Sequence, residues 1–395
     1  MWRLGFFFHE TAFGLLSVFI PLYVITLGGS LVDIGIMISV ALFAAIPASL
    51  FWGYICDRTR RYKFYILLSF ISATILLYLF TLTTSIWLFI VLYVVMSALH
   101  MAHEAPKNVL IAEHYSGEEW RKSYAFYEGF TEVGWLLGLL LGFLVSTIGF
   151  NSNSILLLCS GFNLIAFILS IFLVADPILI FERRLVSIEK KIDYTYRGVW
   201  AASKVLDGMP LREKLRGESF LTFGIGLVLF SLASSIFFTP LPIFFSQKLA
   251  LPTSMVFVIY MLSSGGGVAG YFFSGKRTLP TEEKVQMRRI VLFKSALVFS
   301  LVAFVQIAVY PTVFAAIILV LMGFAYALYY VFTLSLSMAL IPAGRTGLFD
   351  VPISLGGACG SFLGPFLAQM LGYLPQFLIA SAIFFLAYIV LRIFS

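Results

Sequence analysis

Residues 33–82 read DIGIMISVALFAAIPASLFWGYICDRTRRYKFYILLSFISATILLYLFTL, which is two long apolar runs joined by a short basic turn. The runs, 33–55 and 63–82, each reach the roughly 20 apolar residues that a helix needs to cross the hydrocarbon core of a bilayer. The turn between them carries Arg58, Arg60 and Arg61. Short loops rich in Arg and Lys are typical of the cytoplasmic side. The stretch therefore predicts two transmembrane helices that are joined in the cytoplasm.

The rest of the chain continues this pattern. Hydrophobic residues make up 61% of the 395 positions and charged residues 11%, whereas soluble domains carry about 25% charge. This composition excludes an ordinary soluble domain, and the three cysteines show neither metal-binding nor redox spacing. Counting apolar runs predicts twelve spans, at 5–27, 33–55, 63–82, 86–112, 123–147, 154–175, 219–244, 253–273, 290–309, 312–337, 346–371 and 374–393.

The basic residues lie on one predicted side of the membrane. Lys248 falls on the opposite side, and Lys107 and Lys294 fall inside spans or at their edges. The positive-inside rule makes the basic side cytoplasmic and places both termini of this multi-pass protein there. Charges that are spread over separate short loops do not form a groove for nucleic acid, so no nucleic-acid partner is expected despite the net charge of +7.

A polar segment separates two similar halves. Residues 176–217 combine charges with apolar positions at three- and four-residue steps, which predicts a cytoplasmic linker with an amphipathic helix. The halves, 1–175 and 218–395, share short matches such as Ile20-Pro21-Leu22 with Thr239-Pro240-Leu241. Duplication of six helices is typical of large transporter folds. We therefore predict an all-α membrane protein of two pseudo-symmetric six-helix bundles.

The loop between spans two and three resembles the signature loop of the major facilitator superfamily. It reads Gly53-x3-Asp57-Arg58-x-Arg60-Arg61, with Arg60 in place of the family's second glycine. The six-plus-six layout and Gly360-x3-Gly364-Pro365 in span eleven also agree. The resemblance implies alternating access by a monomeric secondary transporter in the lipid bilayer, with a small-molecule solute as partner, and no enzymatic activity. It also implies a gating network of Gly53, Asp57, Arg58, Arg61, Glu113 and Arg121.

Ionisable residues inside the spans mark the candidate coupling site. A charge at mid-bilayer costs about 2.5 to 3.5 kcal/mol on insertion scales, so such residues face the bundle interior and usually have a function. His100 and Glu104, like His103 and Lys107, are four positions apart and share a helical face. The resemblance places spans one and four along a central cavity, which brings Glu10 towards this face.

A carboxyl group in such a cavity loads and releases a proton as its access to water and to cations changes. We predict Glu10 and Glu104 as proton carriers, Lys107 as their switchable counter-ion, and Glu132 in span five as a second candidate. In the alternative interpretation, Glu104 and Lys107 form a permanent buried pair. Sodium instead of proton coupling, and symport instead of antiport, also stay open.

The second half offers an uncharged surface for the solute. Hydroxyl and aromatic side chains in spans seven and ten suit an amphipathic or aromatic organic molecule. Together with the histidines of the first half and one acid of span eleven, they form the predicted substrate-binding set: His9, His100, His103, Ser234, Ser235, Tyr326, Tyr330 and Asp350.

Two other functions compete with organic solute transport. Imidazole and carboxylate ligands in spans one and four suit zinc, nickel or iron, so His9, Glu10, His100 and Glu104 form an alternative metal-transport site. A membrane enzyme or a non-transporting receptor is the alternative of another class. The segment His9-Glu10-Thr11-Ala12-Phe13 lacks the second histidine of a zinc protease, and Gly270-x4-Gly275-Lys276 lacks the Ser or Thr of a phosphate loop. We therefore expect no catalytic residues and no cofactor.

Overall fold

The computed structural model describes residues 2–114, 120–176, 220–274, 280–307, 310–340 and 347–393, all helical or in short connections. The predicted linker at 176–217 lies outside the described residues, apart from Asp176. Twelve helical spans are long and apolar enough to cross a membrane, as predicted. Their helices are Arg3–Thr26, Leu31–Thr59, Tyr62–Leu82, Ile86–His100 continued by Glu104–His114, Trp120–Ile148, Ser152–Leu173, Phe220–Phe238 continued by Leu241–Ile243, Thr253–Ser274, Pro280–Ile307, Pro311–Leu340, Gly347–Leu371 and Tyr373–Ile393.

The beginning of span nine differs from the prediction. The apolar run was expected to begin at residue 290, but the helix begins at Pro280. Its first turns carry Lys284, Arg288 and Arg289, so the helix is longer than its apolar part. Hydropathy detects the part of a helix that suits lipid and misses turns that extend beyond it.

Span four is interrupted where its ionisable residues lie. The α-helix ends at His100, a 3₁₀ turn covers Met101–His103, and a second α-helix runs over Glu104–His114. Pro106 explains the interruption, because its ring prevents the regular hydrogen bond to the carbonyl of Ala102. The irregular turn sets the directions of the two histidines and of Glu104 relative to span one.

Arg60 ends span two in an unusual backbone conformation. Its φ of 55° lies in the left-handed region, which glycine adopts readily and other residues rarely. This is the position at which the family motif has its second glycine. The tight turn into span three is therefore retained despite the substitution.

The internal repeat is visible in side-chain hydrogen bonds between spans. Ser97 donates to the carbonyl of Ala41 and Ser263 to that of Leu319, both across 56 positions. Ser160 donates to Thr74, and Ser295 to Ser381, both across 86 positions. Each half thus joins its second span to its fourth and its third span to its sixth in the same register.

Glycines allow close helix packing within each half. Gly138 of span five lies against the backbone of Thr11 in span one, and Gly360 of span eleven lies against Leu232 in span seven. No side chain fits at these contacts. Between the halves, span two packs on span eleven and span five on span eight. Spans one, five, seven, eight and ten surround a space between the bundles.

Candidate functional site

A cavity of about 450 Å³ lies between the two halves. Its volume falls in the range of small-molecule sites. Spans one and five line one wall, and spans seven, eight and ten line the other. The lining residues are Glu10, Glu128, Thr131, Glu132, Trp135, Leu139, Phe238, Tyr260, Ser263, Ser264, Gly267, Tyr271, Met322, Gly323, Tyr326 and Tyr330.

Three carboxylic acids line the wall that spans one and five of the N-terminal half form: Glu10, Glu128 and Glu132. Glu132 accepts a hydrogen bond from Ser264 of the opposite half at 2.6 Å. One carboxylate oxygen of Glu128 is buried and has no hydrogen-bond partner among the described residues. Glu128 and Glu132 are four positions apart in the same helix, so they share the face that looks into the cavity.

Aromatic rings form much of the opposite wall. Tyr326 and Tyr330 stack with ring centroids 6.0 Å apart, and the hydroxyl of Tyr330 lies 3.5 Å from that of Tyr124 in span five. Tyr260 and Tyr271 of span eight complete this surface. The cavity thus combines acidic groups on one side with flat apolar faces on the other.

Behind the acidic wall, Glu104 lies in a compact ion pair. The Nζ of Lys107 is 2.5 Å from one oxygen of Glu104, and His103 donates from Nε2 to the other oxygen at 3.3 Å. Glu104 does not line the cavity. Lys107 also interacts electrostatically with Glu10 and Glu128. The pair is therefore close enough to affect the charges on the cavity wall.

The histidines form a hydrogen-bonded network between spans one, four and six. Asn163 donates its amide to the carbonyl of Cys159 at 2.9 Å, which turns its oxygen towards His9. His9 therefore donates from Nδ1 to Asn163 at 2.6 Å, and its Nε2 accepts from His100 at 3.2 Å. His9 is fully buried. The ligand atoms of His9, His100 and His103 lie within 4.8 Å of one another.

The predicted set of four metal ligands is not brought together. Glu10 faces the cavity, and Glu104 is paired with Lys107. His103 instead joins His9 and His100 in the one group of possible ligands found among the described residues. His100 and His103 are three positions apart and are therefore neighbours on span four, and the packing of span one against span four brings His9 to them.

Other predicted residues lie in different places. Tyr326 and Tyr330 line the cavity, whereas Ser234 and Ser235 do not. Ser235 packs against Gly357 and Gly360 of span eleven.

The predicted gating network is only partly described. Arg58 is exposed and contacts the hydroxyl of Tyr54, Arg61 precedes the first turn of span three, and Gly53 has open space beside it. The side chains of four predicted residues lie outside the described part of the structure: Asp57, Glu113, Arg121 and Asp350.

Two further candidate residues, Glu128 and Lys294, lie outside the predicted set of site residues. Glu128 of span five lines the cavity beside Glu10 and Glu132. Lys294 of span nine is fully buried among aromatic rings. A charged residue inside an apolar run was the available signal for both.

Comparisons with known proteins give a consistent result. A family model described as "Major Facilitator Superfamily" matches residues 4–349. No curated protein matches the sequence. Among solved structures, the nucleoside transporter NupG is similar over 100% of this chain and 98% of its own, at a TM-score of 0.71 and 15% identity. A D-xylose-proton symporter is similar over 100% of this chain and 97% of its own, at a TM-score of 0.74 and 15% identity. The human organic anion transporter MFSD10 is similar over 99% of this chain and 97% of its own, at a TM-score of 0.69 and 15% identity. At these identities the likeness shows the fold alone.

Proposed function

The chain belongs to the major facilitator superfamily and is a secondary transporter, and from that premise we propose that it couples proton movement to the passage of a small amphipathic organic solute. The observation that carries the proposal is the cavity between the halves, with Glu10, Glu128 and Glu132 facing a wall of tyrosines. The acidic groups hold the proton, and the aromatic faces hold the solute.

Glu10 is the proposed main proton carrier. It lines the cavity, and Lys107 behind it lies within electrostatic range. When Glu10 is ionised, Lys107 stabilises the negative charge. When Glu10 is protonated, Lys107 still has Glu104 as its partner at 2.5 Å. Glu10 therefore changes its charge without leaving a buried ammonium uncompensated, which would be costly in this medium.

In this mechanism Glu104 is the fixed partner of Lys107, and the second carrier is Glu132. Glu132 accepts the hydrogen bond from Ser264 across the cavity. Protonation of Glu132 removes the charge that strengthens this bond. Proton binding at Glu132 thus weakens a contact between the two halves, and rocking of the bundles needs such contacts to break. The proposed arrangement has bundles at 1–175 and 218–395 and both termini in the cytoplasm.

The similar structures include transporters that are described as moving nucleosides, a pentose with protons, and organic anions. All of these solutes are small organic molecules. They support an organic solute for this cavity. The xylose transporter is described as a proton symporter, and its similar fold supports proton coupling.

Reconstitution into liposomes tests the proposal. We expect acidification or alkalinisation of the lumen, followed with a trapped pH-sensitive dye, when a nucleoside, a pentose, an organic anion or an organic cation is added. Protein-free liposomes are the control. Transport of any of these solutes without a change in lumenal pH would contradict the proposed coupling, and no transport of any solute in the panel would contradict an organic solute.

Metal transport is a second candidate because three imidazoles converge. Their hydrogen bonds argue against it, since both nitrogens of His9 and both of His103 already have partners. A bound metal must replace at least one of these bonds.

We therefore expect that titration of the purified protein with Co²⁺ produces no visible absorption of a tetrahedral imidazole complex. A saturable band that disappears in the His9→Ala and His103→Ala variants, together with Zn²⁺-dependent uptake into liposomes, would favour the metal carrier instead.

A further inference from the structure

Lys294 is a fully buried lysine in the middle of the C-terminal half. Its Nζ has no hydrogen-bond partner among the described residues. Aromatic rings surround it, with the centroids of Phe230, Tyr326 and Phe384 at 4.7, 5.2 and 5.4 Å. Cation–π contacts of this kind stabilise an ammonium only modestly. They do not replace the hydration that an ammonium loses when it leaves water.

The spans that enclose this lysine supply no counter-ion. Phe230 lies in span seven, Tyr326 in span ten and Phe384 in span twelve, so these three spans surround Nζ. None of the three contains an Asp or a Glu. Glu283 in span nine itself is three helical turns away, a distance of about 16 Å at 1.5 Å per residue. The missing negative charge must therefore come from outside these spans.

Lys294 lies directly behind the cavity wall. Phe238, at 5.7 Å from Nζ, and Tyr326 are both rings that line the cavity. Tyr326 is 41% exposed, so its other face is open to a solute. The ring of Tyr326 therefore lies between Nζ and the cavity.

A second donor on the same side lacks a partner. Ser234 lies four positions after Phe230 and four before Phe238, so the three share one face of span seven. Its Oγ is buried and has no hydrogen-bond partner among the described residues. Lys294 and Ser234 thus offer donors without acceptors, and such a pair suits an anion.

The internal repeat shows that this location is filled differently in each half. The register that aligns Thr74 with Ser295 and Ser160 with Ser381 aligns Ala73 with Lys294 and Asn163 with Phe384. In the first half, Asn163 satisfies the buried polar group His9 from within the protein. In the second half the position that aligns with His9 is Phe230, the position that aligns with Asn163 is Phe384, and the buried polar group is Lys294 on span nine.

From these observations, and resting on the proposed transport function, we infer that Lys294 and Ser234 form an anion subsite that takes a monovalent anionic group, such as a carboxylate, of the solute. A single ammonium matches one negative charge, so a phosphate dianion fits less well. The ring of Tyr326 separates the subsite from the cavity until the solute enters.

Ligand-induced thermal stabilisation tests the subsite without any measurement of transport. Purified protein in detergent is heated with benzoate, with its uncharged analogue benzamide, or with chloride, and unfolding is followed by tryptophan fluorescence. We expect benzoate to raise the midpoint temperature in a saturable way and benzamide to have no effect. A chloride effect with the same dependence on Lys294 would identify a halide as an alternative source of the anion at this subsite.

Three variants complete the test. Lys294→Met should bind benzoate at least about 30-fold more weakly, Lys294→Arg should retain most of the affinity, and Ser234→Ala should weaken binding by several-fold. Lys248→Met, an exposed lysine of the same half, is the matched control. The inference is wrong if benzoate has no effect on the wild-type protein, or stabilises Lys294→Met as strongly. Loss of proton coupling in liposomes would contradict the proposed function and leave this binding result intact.

Discussion

Replacing Glu10 by glutamine is expected to abolish solute accumulation driven by a pH gradient while preserving exchange of solute across the membrane. The amide is nearly isosteric with the carboxylic acid but does not bind and release a proton. It leaves the cavity and its aromatic wall unchanged, so solute still binds and the bundles still rock. Only the release of a proton, which makes transport uphill, is lost.

The measurement uses liposomes with a difference of one pH unit across the membrane. One-for-one electroneutral coupling sustains a concentration ratio of about ten, because each 1.4 kcal/mol corresponds to a factor of ten. The wild-type protein should approach this ratio, and Glu10→Gln should remain near one. Counterflow of labelled solute without a pH gradient should change by less than about twofold.

Asp33→Asn is the matched control for this substitution. Asp33 is also an acid in a span, but it accepts hydrogen bonds from Ser30 at the beginning of span two and does not line the cavity. The Asp33→Asn variant should accumulate solute like the wild type. A normal ratio in Glu10→Gln, with loss in Glu132→Gln, would move the coupling proton from span one to span five.

Removing the ammonium of Lys107 should strongly destabilise the protein. Lys107→Met leaves Glu104 ionised in a mostly buried site, with His103 as its remaining partner. Breaking one side of a fully buried ion pair typically costs about 3 to 5 kcal/mol, and the 32% exposure of the Glu104 side chain places the expected cost below this range. The single variant should therefore inactivate at a much lower temperature than the wild type.

A second substitution should reverse most of this loss. In the Glu104→Gln, Lys107→Met double variant neither charge remains, so stability should return to within about 1 to 2 kcal/mol of the wild type. The measurement is thermal inactivation in detergent, with Lys248→Met as the exposed control. Equal stability of Lys107→Met and the wild type would show that Glu104 has another partner or is protonated. Our assignment of Glu104 as a fixed partner would then be wrong.

The fold could be predicted from the sequence because the hydropathy and charge of each segment decide by themselves whether that segment crosses the membrane. A helix that crosses the hydrocarbon core needs about 20 predominantly apolar residues, so each apolar run marks its own span. The basic turn at Arg58 carries the family resemblance, and Pro21 and Pro240 occupy matching positions in the two halves. Span nine was the exception, since its charged first turns follow no hydropathy rule.

Only part of the candidate site could be predicted from the sequence. The sequence identified Glu10, Glu132, Tyr326 and Tyr330 as important, and all of them line the cavity. Their proposed roles stay predictions. The sequence left open whether Glu104 pairs with Lys107, because a three-residue spacing on a helix permits this contact without requiring it.

The sequence by itself determined how many helices are long and apolar enough to cross the membrane, and which residues are too polar to face lipid. These properties follow from the transfer of each residue between water and hydrocarbon. Only the tertiary structure decided which polar groups meet: His9 contacts Asn163 across 154 positions, and Lys294 contacts four rings and no acid within the described part of the chain. Such meetings depend on the rotation of each helix about its axis, and close packing against neighbouring helices sets this rotation.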